Sequence, residues 1–275
     1  MATQGAVLLK ISVVSPHRDD ACFSLGLSIL RWAKAGHRIR IVNCFTRSAY
    51  APYTVADTLH PNDRTSYVSA LREREDKSFL RQVPGADMVD LRLKDAPLRL
   101  RCKDDAVCHR MWDGADPAII KIEAALEKRF GPDQVDFIFL PLGLGRHIDH
   151  STVREAATRF ARELPCGFYE DMPYGTGAGA ELEAQELREQ IGAAMLSELP
   201  DSSLRVFGET EFAGVKKREL ALIYDSQISD EEADAMARAA ELHGGERVWV
   251  NERFARLEAA AVANGTEALG AQPML

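Results

Sequence analysis

The sequence predicts an α/β protein in which a largely parallel sheet is covered by helices. Short runs of β-branched and aromatic residues alternate with longer segments of helical periodicity along most of the 275 residues, and no linker interrupts the alternation. The predicted strands are residues 7–14, 38–45, 86–91, 135–140, 167–170, 204–207 and 247–250. The predicted helices are residues 21–35, 65–82, 116–130, 151–164, 181–199, 216–224 and 230–242. We expect a single domain over residues 1–258 and a frayed, Ala-rich tail over residues 259–275.

Local signals mark the boundaries of these elements in chain order. The first strand is a short run of β-branched residues, and Thr65 or Ser66 is the expected N-cap of the second helix. Pro117 suits the first turn of the helix that it opens. The polar segment 46–64 is long for a compact domain, so we expect it at the rim of a functional site. Residues 92–113 give no clear pattern.

Composition and charge restrict the class of protein. The formal net charge is −8, and no concentrated basic tract is present, which argues against a nucleic-acid partner. The sequence contains no run of about 18 apolar residues, so no membrane span is predicted. The N-terminal residues lack the features of a secretory signal. An odd, scattered set of five cysteines predicts reduced thiols and a cytoplasmic protein. These cysteines are Cys22, Cys44, Cys102, Cys108 and Cys166.

Two clusters of polar residues follow predicted strands and open predicted helices. Residues 15–20 follow the first strand, and residues 145–150 follow the strand at 135–140. Open α/β sheets present ligand-binding groups at such strand-to-helix turns. We therefore expect the two clusters to meet across adjacent strand ends and to form one hydrolytic metal site.

The residue types in the two clusters suit a catalytic divalent metal. Zinc typically takes three protein ligands plus water, and His17, Asp20 and His150 supply such a set. Asp19 precedes a ligand and remains available as a general base toward the bound water. A metal of this kind lowers the pKa of its water to about 7.

The second cluster also predicts an oxyanion partner. His147 and His150 are three residues apart, so they face the same way on the first turn of a helix. His147 would stabilise the oxyanion of a tetrahedral intermediate, with Asp149 orienting its ring. The alternative is that a histidine or an aspartate at a helix start is simply a cap or a favourable charge. Cys102, Cys108 and His109 lack the tight spacing of a thiolate metal site and are expected to be plain structure.

These motifs resemble the PIG-L (LmbE-like) zinc-dependent de-N-acetylase family. Its signatures are a His-Pro-Asp-Asp motif after the first strand and a later His-x-Asp-His motif. Here they read Pro16-His17-Arg18-Asp19-Asp20-Ala21 and His147-Ile148-Asp149-His150. Weaker similarities cover residues 72–76, 169–174 and 217–227.

The resemblance implies a Rossmann-like, three-layer α/β/α fold and a single zinc ion. The family hydrolyses an N-acetyl group to acetate and an amine. By motif, the ligands are His17, Asp20 and His150, and the general base is Asp19. The remaining motif residues are His147, which would stabilise the tetrahedral intermediate, and Asp149, which would orient the ring of His147.

Two positions depart from the family pattern. Arg18 replaces the usual proline, and Ala21 replaces the usual acidic residue, yet neither change removes a ligand or the base. Arg18 would either add positive charge at the mouth of the site, suiting an anionic substrate, or point to solvent. Arg72 matches a position that contacts substrate, the alternative being a surface salt bridge to Glu75 or Asp76.

The sequence thus predicts a cytoplasmic metal-dependent amidohydrolase that removes an acetyl or related acyl group from an amino-sugar-containing small molecule. The metal is zinc, with Fe2+ as an alternative for the same ligands. A catalytically silent metal- or sugar-binding protein on the same fold is the main alternative function. A nucleotide-binding protein is disfavoured, because the first strand-to-helix turn lacks a glycine-rich phosphate loop. The sugar, the acyl group and the oligomeric state stay open.

Overall fold

Helices and strands alternate along the chain in the computed structural model, which describes residues 8–102, 116–131, 133–208, 210–263, 269 and 272–273. The strands are β1 (Lys10–Ser15), β2 (Arg38–Asn43), β3 (Ala86–Asp90), β4 (Phe137–Pro141), β5 (Cys166–Tyr169), β6 (Leu204–Phe207), β7 (Glu246–Val250) and β8 (Gln272–Pro273). The helices are α1 (Asp20–Lys34), α2 (Pro61–Leu80), α3 (Ala96–Leu100), α4 (Ala118–Glu127), α5 (Ile148–Thr158), α6 (Ala180–Met195), α7 (Ala213–Ala221), α8 (Asp230–His243) and α9 (Glu252–Ala263).

One sheet contains all of these strands, in the order β3-β2-β1-β4-β5-β7-β6-β8. The first five pair in parallel, and β7, β6 and β8 extend the sheet with antiparallel pairs. From β1 the chain moves to β2 on one side and later returns to β4 on the other. The carboxyl ends of β1 and β4 therefore flank the point where the strand order reverses, which is where α/β sheets bind ligands.

Side-chain alternation along the strands divides the core into two layers. In β1, Ile11 and Val13 face the layer that contains α1, α2, α7, α8 and α9. Val14 faces the opposite layer, which contains α4, α5 and α6. Successive strand residues point to opposite faces, so a continuous apolar run is what a sheet buried on both sides requires. The predicted three-layer, mostly parallel α/β fold in one domain is confirmed.

Two predicted helix starts are wrong. α2 begins at Pro61 rather than at Thr65 or Ser66, because the His60 side chain accepts a hydrogen bond from the Asn62 N–H (3.3 Å) and proline fits the first turn. α5 begins at Ile148 rather than at Ser151, with His147 as its N-cap. In both cases a histidine serves as the cap, and in α2 it stands in place of the predicted hydroxyl residue.

The two segments that gave weak signals are only partly described. Residues 96–100 form the short helix α3, capped by the Asp95 side chain. Cys108, His109 and the rest of residues 103–115 lie outside the described residues. The predicted fraying of residues 259–275 is wrong for the described part, since α9 continues to Ala263, Leu269 is buried and β8 pairs with β6. Among the described helices, none is long and apolar enough to cross a membrane.

Candidate active site

The turn after β1 is held by hydrogen bonds among its own polar residues. The Ser15 hydroxyl donates to the carbonyl of His17 (2.6 Å) and accepts from the Ala21 N–H (3.0 Å). The His17 N–H donates to the Asp20 carboxylate (2.7 Å), and Asp19 is the N-cap residue of α1. The side chains of His17 and Asp20 are thereby fixed next to each other at the start of the helix.

The turn after β4 depends on glycine. Gly143 and Gly145 have φ of +93° and +78°, a region that other residues rarely adopt. A Cβ atom on Gly145 would lie 2.3 Å from the ring of Tyr174, so this position also permits a close approach. The turn then enters α5, where His147 Nδ1 accepts a hydrogen bond from the Asp149 N–H (3.1 Å).

The two turns bring the predicted metal ligands together. Asp20 Oδ2 lies 3.2 Å from His17 Nδ1 and 3.4 Å from His150 Nε2. The candidate ligand atoms of these three residues all lie within 4.8 Å of one another, and His150 and Asp20 are buried. Two imidazole nitrogens and one carboxylate oxygen fit a catalytic zinc, which keeps a fourth position for water.

Each imidazole is oriented by a carboxylate on its far side. Asp171 Oδ1 bonds His150 Nδ1 (2.6 Å), and Asp171 Oδ2 accepts the N–H groups of Gly143 (2.6 Å) and Leu144 (3.0 Å). Carboxylates commonly fix metal-binding histidines in this way. The sequence motifs assigned no role to Asp171, although its position two residues after β5, the strand that pairs with β4, is a usable signal.

Asp149 contacts a different imidazole from the predicted one. Its carboxylate bonds His17 Nε2 (3.0 Å), the Ala96 N–H (2.9 Å) and Arg99 (2.6 Å), rather than the ring of His147. The prediction that the Asp149 carboxylate orients the ring of His147 is therefore wrong, because His147 Nδ1 faces the backbone of its own helix. The missed contributors are α3 and Arg99, from the segment that gave no sequence pattern.

Charge and burial favour a cation at this cluster. Burial lowers the pKa of His17, but the carboxylates of Asp20 and Asp149 outweigh it and raise the pKa to about 10. Burial raises the pKa of Asp20 less than His150 and His17 lower it, so Asp20 stays ionised. The two carboxylates therefore hold a positive charge between them, which a divalent ion would supply in place of a proton.

The pKa of His147 is shifted in the opposite direction from that of His17. Burial and the neighbouring charge of His17 lower the pKa of His147 to about 3, so its ring is neutral. The hydrogen bond accepted by Nδ1 assigns the remaining proton to Nε2. The ring is edge-on to His17, with centroids 5.0 Å apart. His147 is thus both a helix cap and a neutral N–H donor in the same cavity.

Asp19 is paired with Arg72 across the site. Arg72 Nη2 donates to Asp19 Oδ1 at 2.6 Å, and both residues are buried and line the cavity. The predicted alternative, a surface salt bridge from Arg72 to Glu75 or Asp76, is wrong. Glu75 instead accepts hydrogen bonds from the N–H and hydroxyl of Ser226 (both 3.0 Å). The Asp19 carboxylate is therefore held in place by an ion pair with Arg72.

Arg18 does not lie at the mouth of the site. It is 5% exposed, and its guanidinium donates to Asp76 and Asp90. The prediction that Arg18 contacts substrate is therefore contradicted, as is its alternative of pointing to solvent. The buried Asp76 on α2 and the half-buried Asp90 on β3 pair with the guanidinium and balance its charge.

The clustered residues open into a cavity of about 250 Å³. Its walls include Ser48 and Tyr50, which confirms that the segment after β2 lies at the rim of the site. The other lining residues are His17, Asp19, Asp20, Phe23, Arg72, Asp95, Pro97, His147, Asp149, His150, Met172, Pro173, Tyr174, Gln227 and Glu232. Seven of the eight predicted site residues border the cavity directly, all except Arg18, and His17, Asp20 and His150 are grouped as a candidate metal centre.

The fold and the site define a three-layer α/β protein with a candidate divalent-metal centre at the switch point of its sheet. The profile of the PIG-L family, described as GlcNAc-PI de-N-acetylase, matches residues 12–161. The chain belongs to this family, as its motifs predicted. No curated protein gives a significant match to the chain.

Solved structures with the same fold include three structures of deacetylases. The A40926 pseudoaglycone deacetylase is 24% identical with a TM-score of 0.57, covering 90% of this chain and 99% of its own. The zinc-inhibited form of a teicoplanin deacetylase is 20% identical with a TM-score of 0.62, covering 88% and 97%. A deacetylase–teicoplanin complex is 22% identical with a TM-score of 0.57, at the same coverage. At these identities the likeness establishes the fold.

Proposed function

We propose that this protein is a zinc-dependent hydrolase that removes an N-acetyl or related N-acyl group from an amino-sugar-containing small molecule. Family membership supports the reaction class. The observation that carries the proposal is the meeting of three metal-binding groups, an aspartate and a neutral imidazole donor in one cavity. A protein that only binds metal or sugar needs neither the additional aspartate nor the imidazole donor.

His17, Asp20 and His150 would hold the metal, with Asp149 and Asp171 orienting the two imidazoles. When bound there, zinc supplies Lewis-acid polarisation of the amide carbonyl and lowers the pKa of a coordinated water. The donor set suits that ion, since softer thiolate ligands are absent from the described cluster and the carboxylate and imidazoles are ligands that zinc accepts.

Asp19 is the proposed general base. It would take a proton from the attacking water as the water adds to the carbonyl carbon, and would return it to the nitrogen as the C–N bond breaks. The products are a carboxylate, acetate in the simplest case, and the free amine. Arg72 holds the Asp19 carboxylate in a fixed orientation throughout (2.6 Å).

His147 is the proposed oxyanion partner. Its neutral ring would donate the Nε2 proton in a hydrogen bond to the carbonyl oxygen as negative charge develops there. A donor that is already in place costs no reorganisation when the charge forms. The cap made by Nδ1 fixes the ring for this purpose.

The test pairs metal analysis with amine release from a panel of N-acetylglucosamine derivatives. We expect release to rise in proportion to bound zinc. Asp19→Asn should keep its zinc and lose about 100-fold to 10,000-fold in kcat, whereas His17→Ala should lose the metal. Asp201→Asn, at a side chain that is 93% exposed, is the matched control and should behave as wild type.

Two outcomes contradict the proposal in different ways. Full activity of Asp19→Asn would refute the base assignment alone. A zinc-loaded protein that releases no amine from any member of the panel would favour the silent metal- or sugar-binding alternative.

A further inference from the structure

We propose that the cavity selects N-acylated amino sugars without negative charge, and that Glu232 is a determinant of this selectivity. The inference rests on the hydrolase proposed above and specifies its substrate class. It replaces the anionic substrate that Arg18 suggested, since Arg18 lies outside the cavity with its charge balanced by Asp76 and Asp90.

The charges that line the cavity are mostly negative. Its described walls carry five carboxylates and one guanidinium, that of Arg72, which is already paired with Asp19. The five are Asp19, Asp20, Asp95, Asp149 and Glu232. Five carboxylates against one guanidinium leave four negative charges, and a divalent ion held by neutral His17 and His150 would balance two of them.

The net charge of the cavity stays negative when the charged groups that contact its lining are included. Arg99 bonds Asp149, but the same guanidinium also bonds Asp116, so it adds no net positive charge. Burial raises the pKa of Asp95, yet protonation of that group would still leave one negative charge. In a partly enclosed cavity such an excess repels anions more strongly than it would in open water.

Glu232 is the member of the set that an incoming substrate meets first. The four aspartates are buried, whereas Glu232 is half-exposed on the first turn of α8. Its Oε2 accepts hydrogen bonds from the Tyr53 hydroxyl and the Ser229 N–H (both 2.9 Å). These contacts fix the half-exposed carboxylate in the wall of the cavity, on its solvent side.

Glu232→Gln isolates this charge without removing its contacts. Glutamine replaces glutamate in a capping box, and its carbonyl oxygen still accepts from Ser229 and Tyr53. Glu231→Gln is the matched control, because it removes one charge from the adjacent, exposed residue that does not belong to the cavity lining. Both zinc-loaded variants are compared with wild type.

The assay compares kcat/KM for methyl N-acetylglucosaminide and for its 6-phosphate. We expect wild type to prefer the neutral sugar at least about 10-fold, and Glu232→Gln to narrow that ratio about 3-fold to 10-fold. Added salt should narrow the wild-type ratio as well, because it screens the repulsion. Glu231→Gln should keep the wild-type ratio at low salt.

A wild-type preference for the phosphate, or an unchanged ratio in Glu232→Gln, would overturn the inference. If Glu231→Gln narrowed the kcat/KM ratio as much as Glu232→Gln does, the preference would be a general effect of surface charge, and the role of Glu232 would be overturned. If neither sugar releases amine, the hydrolase proposal fails. Calorimetric titration of the same two sugars then still tests the charge preference, with stronger binding of the phosphate as the contradicting result.

Discussion

The buried ion pair between Lys217 and Glu246 stabilises a break in α1, the helix whose N-terminus carries Asp19 and Asp20. α1 departs from helical geometry at Leu25 (φ −129°, ψ 17°). Beyond the break, the N–H groups of Leu27 and Ser28 donate to the Glu246 carboxylate at 3.0 and 2.9 Å. Lys217 Nζ donates to the same carboxylate.

Lys217→Met should be strongly destabilising. Lys217 and Glu246 are 2% and 3% exposed, so the variant leaves a carboxylate in the interior without its counter-charge. Losing one partner of a buried pair typically costs about 3–5 kcal/mol. Glu246 keeps three donors, from Leu27 and from the N–H and hydroxyl of Ser28, which places the expected cost at about 3 kcal/mol.

Urea unfolding followed by circular dichroism measures this free energy, and for a chain of this length a loss of about 3 kcal/mol corresponds to a Tm lowered by roughly 5 °C. Lys216→Met is the control. The Lys216 side chain is 36% exposed and forms a surface pair with Glu219, so its loss should cost less than about 1 kcal/mol. Equal free energies of unfolding for the two variants would refute the role assigned to the buried pair.

Three further changes test other parts of the structure. Asp149→Asn should weaken zinc binding about 10-fold to 100-fold in chelator competition, and an unchanged Kd would contradict its orienting role. Burial raises the folded-state pKa of Asp76 from 3.8 to about 7, so its contribution to stability is complete below about pH 4 and is lost as pH rises through about 7. The urea midpoint of Asp76→Asn should therefore fall less than that of wild type between about pH 5 and about pH 8, and parallel profiles would contradict this. Gly145→Ala should destabilise by about 1–3 kcal/mol more than Gly179→Ala, because both have positive φ but only the first Cβ would meet the Tyr174 ring.

The position of the candidate metal centre was predictable because it depends on chain order and strand direction. The runs before residues 15–20 and 145–150 read as buried strands, and β1 and β4 do pair in parallel. Parallel neighbours end at the same edge of a sheet, so polar residues after each strand meet there. The convergence of His17, Asp20 and His150 follows from that rule and from the donor types that a divalent metal accepts.

The hydrogen-bond partners within the site were not predictable from spacing. Asp149 lies two residues after His147, and that proximity suggested the wrong imidazole. Its carboxylate instead points across the site to His17, which is 132 residues away, and to α3. A side chain on the first turn of a helix chooses among partners supplied by other elements, and local sequence carries no information about which of them is nearest.

The same limit explains the inner face of α2. The helix packs against the core through the buried apolar side chains of Val68 and Phe79. Its other buried positions are Arg72, Glu75 and Asp76, spaced so that they share one face.

Each of these charges has a partner on a different element. Arg72 bonds Asp19, Glu75 bonds Ser226, and Asp76 bonds Arg18 and Tyr224. A charged residue at a helical position therefore predicts a solvated face only when no distant partner exists. In this chain the turn after β1 supplies two such partners, Arg18 and Asp19, so the packing of α2 and the orientation of the proposed base depend on the same contacts.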